Sequence, residues 1–214
     1  MIKLHHLNDS RSQMILWLLE ELGLPYELAS YKRDPVTLMG PAEIKALHPV
    51  GKSPMIEDDG RIIIESGAIA EHILRKHEDG RLAPPEGSVE AERHLQWLYY
   101  GVSSGMNPIM LKVYARALGL VGTDFDRAAD AELAQVLSYL DAELEGREFL
   151  LGDQFTAADI QVSFIPELAL TLGPIDAYPN VLRWLTALRA RPAFLRSVAK
   201  GGRYTFAEAV MPAS

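Results

Sequence analysis

With 214 residues, 48% of them hydrophobic and 23% charged, the chain is long enough to bury the core of one large domain or two small ones. A formal net charge of −8 without any Lys/Arg cluster excludes a nucleic-acid surface, and the lack of cysteine excludes disulfides, thiolate nucleophiles and Cys-ligated metals, so any thiol chemistry needs a thiol brought in by a ligand. No apolar run nears the roughly 20 residues that span a bilayer and no basic segment leads into an apolar one at the N-terminus, so a cytoplasmic protein without an integral membrane segment is expected.

"IKLHHL" (2–7) reads as a first strand. From Arg11 onward Ile15, Leu18, Leu19 and Leu22 recur at helical spacing until Gly23 stops the run and Pro25 prevents a restart. "YELASY" (26–31) follows as a second strand, "PAEIKALH" (41–48) as a short helix before Pro49, and "PMIED", "DG" and "RIIIE" as a hairpin turned by Asp59-Gly60. Ser66 then opens an amphipathic helix to about His77. The order β-α-β-α-β-β-α calls for a mixed sheet with helices packed on it. "EDGRLAPPEGS" (78–88) is a connector of the kind that separates domains, and helical periodicity then falls at roughly 89–120, 124–145, 156–171, 179–190 and 192–199, divided by Gly122, Gly146, Gly152, Gly173 and Pro179. Pro108 is expected to kink the first of these helices.

Three polar sites lie at ends of these elements. "SRSQ" fits a capping box with Ser10 as N-cap and Gln13 at N3; a hydroxyl in the positive field of a helix N-terminus can equally donate to a thiolate, which needs such help because a free thiol is mostly protonated at neutral pH. "GKSP" (51–54) is followed eleven residues later by Glu65-Ser66 at the mouth of a helix. Taken singly, Ser66 is a cap, Glu65 a solvated strand end and Pro54 an edge-strand residue. Jointly, all three sites fall where ligands bind beside helix N-termini.

"SRSQMILWLLEELGLPYEL", "HPVGKSP", "ESGAI" and "FLLGDQFTAADI", in this order over nearly the whole chain, resemble the soluble glutathione transferases, especially the bacterial and yeast branch with a short loop before its Ser-Arg pair. The resemblance implies an α/β thioredoxin-like N-terminal domain (1–78) binding glutathione, a linker (79–88) and an all-α C-terminal helical domain (89–214) forming the electrophile pocket. It implies conjugation of the glutathione thiolate to an apolar electrophile, with glutathione as co-substrate and no other cofactor, in a homodimer. Glutathione-dependent peroxidase, isomerase and dehalogenase activities stay open, and the alternative from another class is a non-catalytic binding or regulatory protein of the same fold.

Carried over by motif, Ser10 takes the place of the catalytic hydroxyl that contacts the sulfur, with Arg11 completing the Ser-Arg pair; because the loop is short, Asn8 and Ser12 are alternatives. Lys52 resembles the ligand of the glycyl carboxylate, Ser53 the residue whose backbone pairs with the cysteinyl segment, and Pro54 the family's cis-proline. Glu65 and Ser66 resemble the pair that holds the amine and carboxylate of the γ-glutamyl end. The stretch before the second helix reads "TLMGPAE" and lacks the basic residue of several classes, which leaves Lys52, Lys32 or Arg33 to carry that role.

Tyr99, Tyr100, Met106, Met110 and Tyr114 fit a helical core, while their clustering near Pro108 also suits an adaptable apolar pocket, so Tyr100, Ser104, Met106 and Tyr114 are the electrophile-side candidates. Thr156 and Asp159 form a second capping box, assigned to folding. No metal site is expected: His5 and His6 point to opposite faces of a strand, and His72 and His77 are five apart on a helix, a poor spacing for joint ligation.

Overall fold

The computed structural model describes residues 1–34, 37, 39–77 and 80–208; Glu78 and Asp79 at the expected domain boundary and residues 209–214 of the expected helical part lie outside them. β1 (Ile2–Leu7) leads to α1 (Ser12–Leu22), β2 (Tyr26–Tyr31), α2 (Ala42–Leu47), β3 (Met55–Asp58), β4 (Arg61–Ile64) and α3 (Ser66–His77), the order that the sequence pattern predicts. The sheet runs β2-β1-β3-β4, with β1 and β2 parallel and the other pairs antiparallel. Asp59 (φ 49) and Gly60 (φ 73) are both left-handed, the requirement of a two-residue type I′ hairpin turn. Leu7, Ile44 and Met55 pack with Tyr31, Leu47 and Ile64 to bury one side of this layer.

Helices then follow as α4 (Val89–Tyr100), α5 (Asn107–Ala117), α6 (Asp124–Glu143), α7 (Ala157–Leu172), α8 (Pro179–Arg189), α9 (Pro192–Gly201) and α10 (Thr205–Glu208). None in the described residues is long and apolar enough to cross a membrane. The single kinked helix expected over 89–120 is two helices. Pro108 opens α5, where its missing N–H has no partner to lose, and the turns at 101–106 carry the break. Gly105 fixes the path there, since a Cβ would lie 2.6 Å from Ile165 Cδ1 and from Tyr100 Cε1. α10, four residues long, is too short to leave a periodic signal.

The box at α7 is formed as predicted, with Thr156 and Asp159 satisfying each other's backbone donors. Asp159, 0% exposed, also accepts from Leu150 N (3.0 Å) and Trp184 Nε1 (3.0 Å). Burial raises its pKa to about 6 against the pull of these donors.

Contacts group the chain into Met1–Ala83 with Ala190–Thr205, and Pro84–Arg189 with the described residues from Phe206. α9 therefore belongs with the sheet, whereas the sequence boundaries put it with the helical part. Its role there explains a second difference. The spacing gives α1 one apolar stripe, yet every α1 residue except Glu21 is buried, because α9 covers another face. Phe194 meets Trp17 edge-on at 5.0 Å, the Gln13 amide donates to Ser197 Oγ (2.8 Å), and Arg191 bonds both oxygens of Glu21 (2.6 and 3.0 Å).

Candidate functional site

The loop before β3 reaches the sheet through a cis peptide at Ser53-Pro54, and the Ser53 hydroxyl donates to His5 O (3.0 Å), tying the loop to the central strand. One hairpin later, Glu65 hands β4 to α3 with φ +67, a left-handed backbone that costs a non-glycine residue on the order of 1 kcal/mol or more. Its carbonyl accepts from Ile69 N (2.8 Å) and so closes the first turn, with Ser66 buried as the first residue of α3. Arg11 comes in from the β1–α1 turn. Arg11, Lys52, Ser53, Pro54, Glu65 and Ser66 thus line one notch of about 30 Å³, together with Val50 and Ile64. The last two escaped the sequence reading because a lone apolar residue carries no chemical signal. A recess this small takes in part of a ligand head group and leaves the rest along the surface.

The charges gathered in the notch differ from the paired ones elsewhere on this unit. Glu20 bonds Arg196 and Lys200, Glu21 bonds Arg191, and Lys3 bonds Glu27. By contrast, the side chains of Arg11, Lys52 and Glu65 make no hydrogen bond or ion pair among the described residues. Two cations, one anion and the N-terminus of α3 therefore face a common space, an arrangement that suits a zwitterionic or dianionic ligand.

Ser10 does not line this notch. Its hydroxyl, in a residue 5% exposed, donates to Leu7 O (2.8 Å) and its oxygen accepts from Ser12 N (3.2 Å). The predicted capping box is not formed: Arg11 holds the cap position of α1 without a side-chain cap bond, Gln13 N bonds the Ser10 backbone carbonyl (3.1 Å), and the Gln13 amide turns to Ser197. Ser12 lies 2.8 Å from Ser10 Oγ, accepts from Leu7 N (3.1 Å) and sits 2.9 Å from His6 Nδ1. Burial lowers the His6 pKa, the Gly201 carbonyl pulling the other way, so the ring is neutral with Nε2–H toward Gly201 and Nδ1 free to accept from Ser12. The Ser12 hydroxyl has three acceptors within reach, His6 Nδ1, Ser10 Oγ (2.8 Å) and Leu7 O (3.1 Å), so the two serines share one network with the Leu7 carbonyl.

Of the alternatives weighed for the sulfur and the glycyl carboxylate, Asn8 and Arg33 are engaged with each other. Asn8 Oδ1 accepts from Arg33 N (2.8 Å), and the Arg33 guanidinium donates to the carbonyls of Asn8 (3.1 Å) and Asp9 (3.0 Å), which holds the β1–α1 loop. Lys32 is exposed. His5 and His6 diverge as expected, His5 bonding Tyr31 (3.0 Å) and Glu57 (2.8 Å).

In the helical unit none of the four electrophile-side candidates lines the larger cavity found among the described residues. Met106 is core at 3% exposed, Ser104 is an exposed turn residue, and Tyr114 is half exposed. Tyr100 packs edge-on against Trp97 and Tyr139, and burial together with Tyr139 pushes its hydroxyl up to about 12. A cavity of about 440 Å³ in this unit is lined instead by residues such as Lys112, Arg116, Leu133 and Ile175.

Residues 1–75 match the family "Glutathione S-transferase, N-terminal domain" and residues 123–192 match "Glutathione S-transferase, C-terminal domain". Glutathione S-transferase 3 of Schizosaccharomyces pombe is 35% identical over 210 residues, covering 90% of this chain and 85% of its own. The crystal structure of a glutathione S-transferase from Actinobacillus pleuropneumoniae superimposes with a TM-score of 0.89 at 33% identity, over 97% of this chain and 96% of that one. A glutathione transferase family member from Pseudomonas fluorescens, solved with two glutathione molecules bound, does so with a TM-score of 0.80 at 28% identity, over 92% of both chains.

Proposed function

The chain is a glutathione transferase of the glutathione S-transferase family, and we propose that it seats glutathione across the notch, holds its sulfur as a thiolate at the start of α1 and directs that thiolate at an apolar electrophile. The observation that carries this reading is the set of unneutralised charges of Arg11, Lys52 and Glu65 around one small space. Glutathione supplies what they lack. Its γ-glutamyl ammonium pairs with Glu65, its α-carboxylate with Ser66 and the first-turn N–H groups of α3, and its glycyl carboxylate with Lys52, while Ser53 presents backbone to the cysteinyl segment and Arg11 adds positive potential. The Pseudomonas relative, solved with glutathione, supports the choice of ligand.

For the sulfur we propose Ser10, at the price of its bond to Leu7 O. A neutral hydrogen bond contributes about 1 kcal/mol net and one to a charged acceptor about 1.5–3 kcal/mol, so the exchange favours the thiolate. Depressing the thiol pKa and holding the two reactants together is then the enzyme's contribution, as the S–C bond forms and the electrophile's leaving group departs. On the electrophile side we propose the half-exposed Tyr114 and the partly buried Tyr100 rather than the core residue Met106. A homodimer in the cytoplasm completes the proposal; a monomeric mass by light scattering at micromolar concentration counts against the dimer.

The test is calorimetric titration with glutathione, followed by steady-state assay with aryl halides, epoxides and hydroperoxides. Binding together with turnover of at least one electrophile class supports the reading, hydroperoxide reduction extends it to peroxidase activity, and absence of glutathione binding overturns it.

A further inference from the structure

We propose that Asp58, His72 and His77 form a divalent transition-metal site, of the zinc class, at the end of α3 away from the glutathione notch. Asp58 closes β3 with its side chain 1% exposed. Its Oδ2 lies 2.8 Å from His72 Nε2 and 3.3 Å from His77 Nε2, and the three donor atoms all fall within 4.8 Å of one another. The five-residue spacing that argued against joint ligation is overcome because β3 brings a third donor between the two imidazoles and His77 is the last residue of its helix.

A second, independent observation concerns the other carboxylate oxygen. Asp58 Oδ1 is buried and has no hydrogen-bond partner among the described residues. Leaving such an acceptor unmet costs about 1–3 kcal/mol, while a cation on the carboxylate satisfies it electrostatically through either oxygen. Two imidazole nitrogens and one carboxylate oxygen are the donor set of zinc sites that keep a fourth, water-filled position, and they disfavour magnesium and calcium, which require oxygen. Zinc bonds of about 2.0–2.2 Å in tetrahedral array separate neighbouring donors by roughly 3.3 Å, close to the two distances from Asp58 Oδ2 to the imidazoles, 2.8 and 3.3 Å.

One competitor occupies this space: Lys76 Nζ lies 2.6 Å from Asp58 Oδ2 and also 2.6 Å from Asp59 Oδ2. Its side chain is 31% exposed, so it keeps the Asp59 contact when an ion takes Asp58. The ion would then bind the C-terminal turn of α3 to the β3–β4 hairpin. None of these residues lines the glutathione notch.

The test uses full-length, tag-free protein treated with a chelator, desalted, and titrated calorimetrically with zinc sulfate near neutral pH without glutathione, which itself chelates metals. Cobalt(II) absorption reports the coordination. The expected result is one zinc per chain, intense visible cobalt bands of a four-coordinate site, a loss of about tenfold or more in affinity in His72→Ala and in His77→Ala, and tighter binding in Lys76→Met. His77, 26% exposed, is the safer replacement, and since His72 is 11% exposed and bonds buried Asp58, circular dichroism and urea unfolding of both variants confirm the fold before affinities are compared. No zinc uptake, uptake that both histidine variants leave unchanged, or octahedral cobalt bands would each overturn the proposal.

Discussion

The starts of α3 and α7 are made from the same residue types, an acid and a hydroxyl at a helix N-terminus, yet the structure treats them in opposite ways. At α7, Asp159 is fully buried and accepts from Thr156 N (2.9 Å), Leu150 N and Trp184 Nε1, so the carboxylate is saturated by its own chain. At α3, Glu65 is exposed, sits in a left-handed backbone and has no side-chain partner among the described residues, beside two cations in the same condition. A saturated carboxylate holds a fold together. One held open at a conformational cost can serve a ligand, and the motif alone does not distinguish the two.

The sharpest way to break this contrast is to remove each acid. Asp159→Ala leaves two backbone donors and an indole N–H unmet in the interior, so it should lower stability by about 4 kcal/mol in urea unfolding. The pKa of bound glutathione should stay put. A variant of native stability that has lost turnover at saturating substrates would move Asp159 from folding to chemistry.

The saturated carboxylate of Asp159 also makes stability depend on pH. The folded pKa of Asp159 is about 6 against an ordinary value of 3.8, so the native state binds the proton more tightly than the unfolded chain. Its contribution is then fully present below the ordinary value, is lost as pH rises from about 4 to about 6, and is constant above. The difference amounts to about 3 kcal/mol. Chemical denaturation across that range should show the slope in the wild type and lose it in Asp159→Asn. A slope that survives Asp159→Asn assigns it to another group.

Much of this was legible in the sequence because it rests on local rules. Periods of two and 3.6, the Asp59-Gly60 turn and the Thr156/Asp159 box each need only a few neighbouring residues, and each is present in the structure. The notch was legible through motif spacing, since Lys52, Ser53, Pro54, Glu65 and Ser66 are fixed by two loops of the same sheet. What failed was long-range. The all-round burial of α1 depends on α9, about 180 residues away, and the loss of the Ser10–Gln13 box depends on Ser197, which draws the Gln13 amide away. Pro108 was misread because a proline inside a periodic run reads the same whether it kinks one helix or starts another.

Glu65→Gln keeps size and backbone while removing the charge. Glutathione affinity should fall by about 2 kcal/mol, roughly 30-fold, with unfolding stability within about 0.5 kcal/mol of the wild type. Loss of both together would make Glu65 a folding residue like Asp159 and erase the contrast between the two helix starts.

The smallest effect expected is at the third helix start, where Ser10 combines both kinds of role: its oxygen accepts from Ser12 N and its hydroxyl donates to Leu7 O. If it serves only the fold, Ser10→Ala lowers stability by about 1 kcal/mol and leaves the pKa of bound glutathione where it was. If the proton moves to the sulfur when glutathione binds, that pKa rises as well, each unit corresponding to about 1.4 kcal/mol of lost preference for the thiolate. Thiolate absorbance of the complex against pH decides between them, run in parallel on Ser10→Ala, Ser12→Ala and Asn8→Ala. Ser12 is held by His6 and Leu7 and Asn8 by Arg33, so neither should move the thiol pKa as far as Ser10 does. A raised pKa in one of those two with none in Ser10→Ala hands the sulfur to that neighbour, and no shift in any of the three leaves the α1 dipole and its first-turn N–H groups as the thiolate's support.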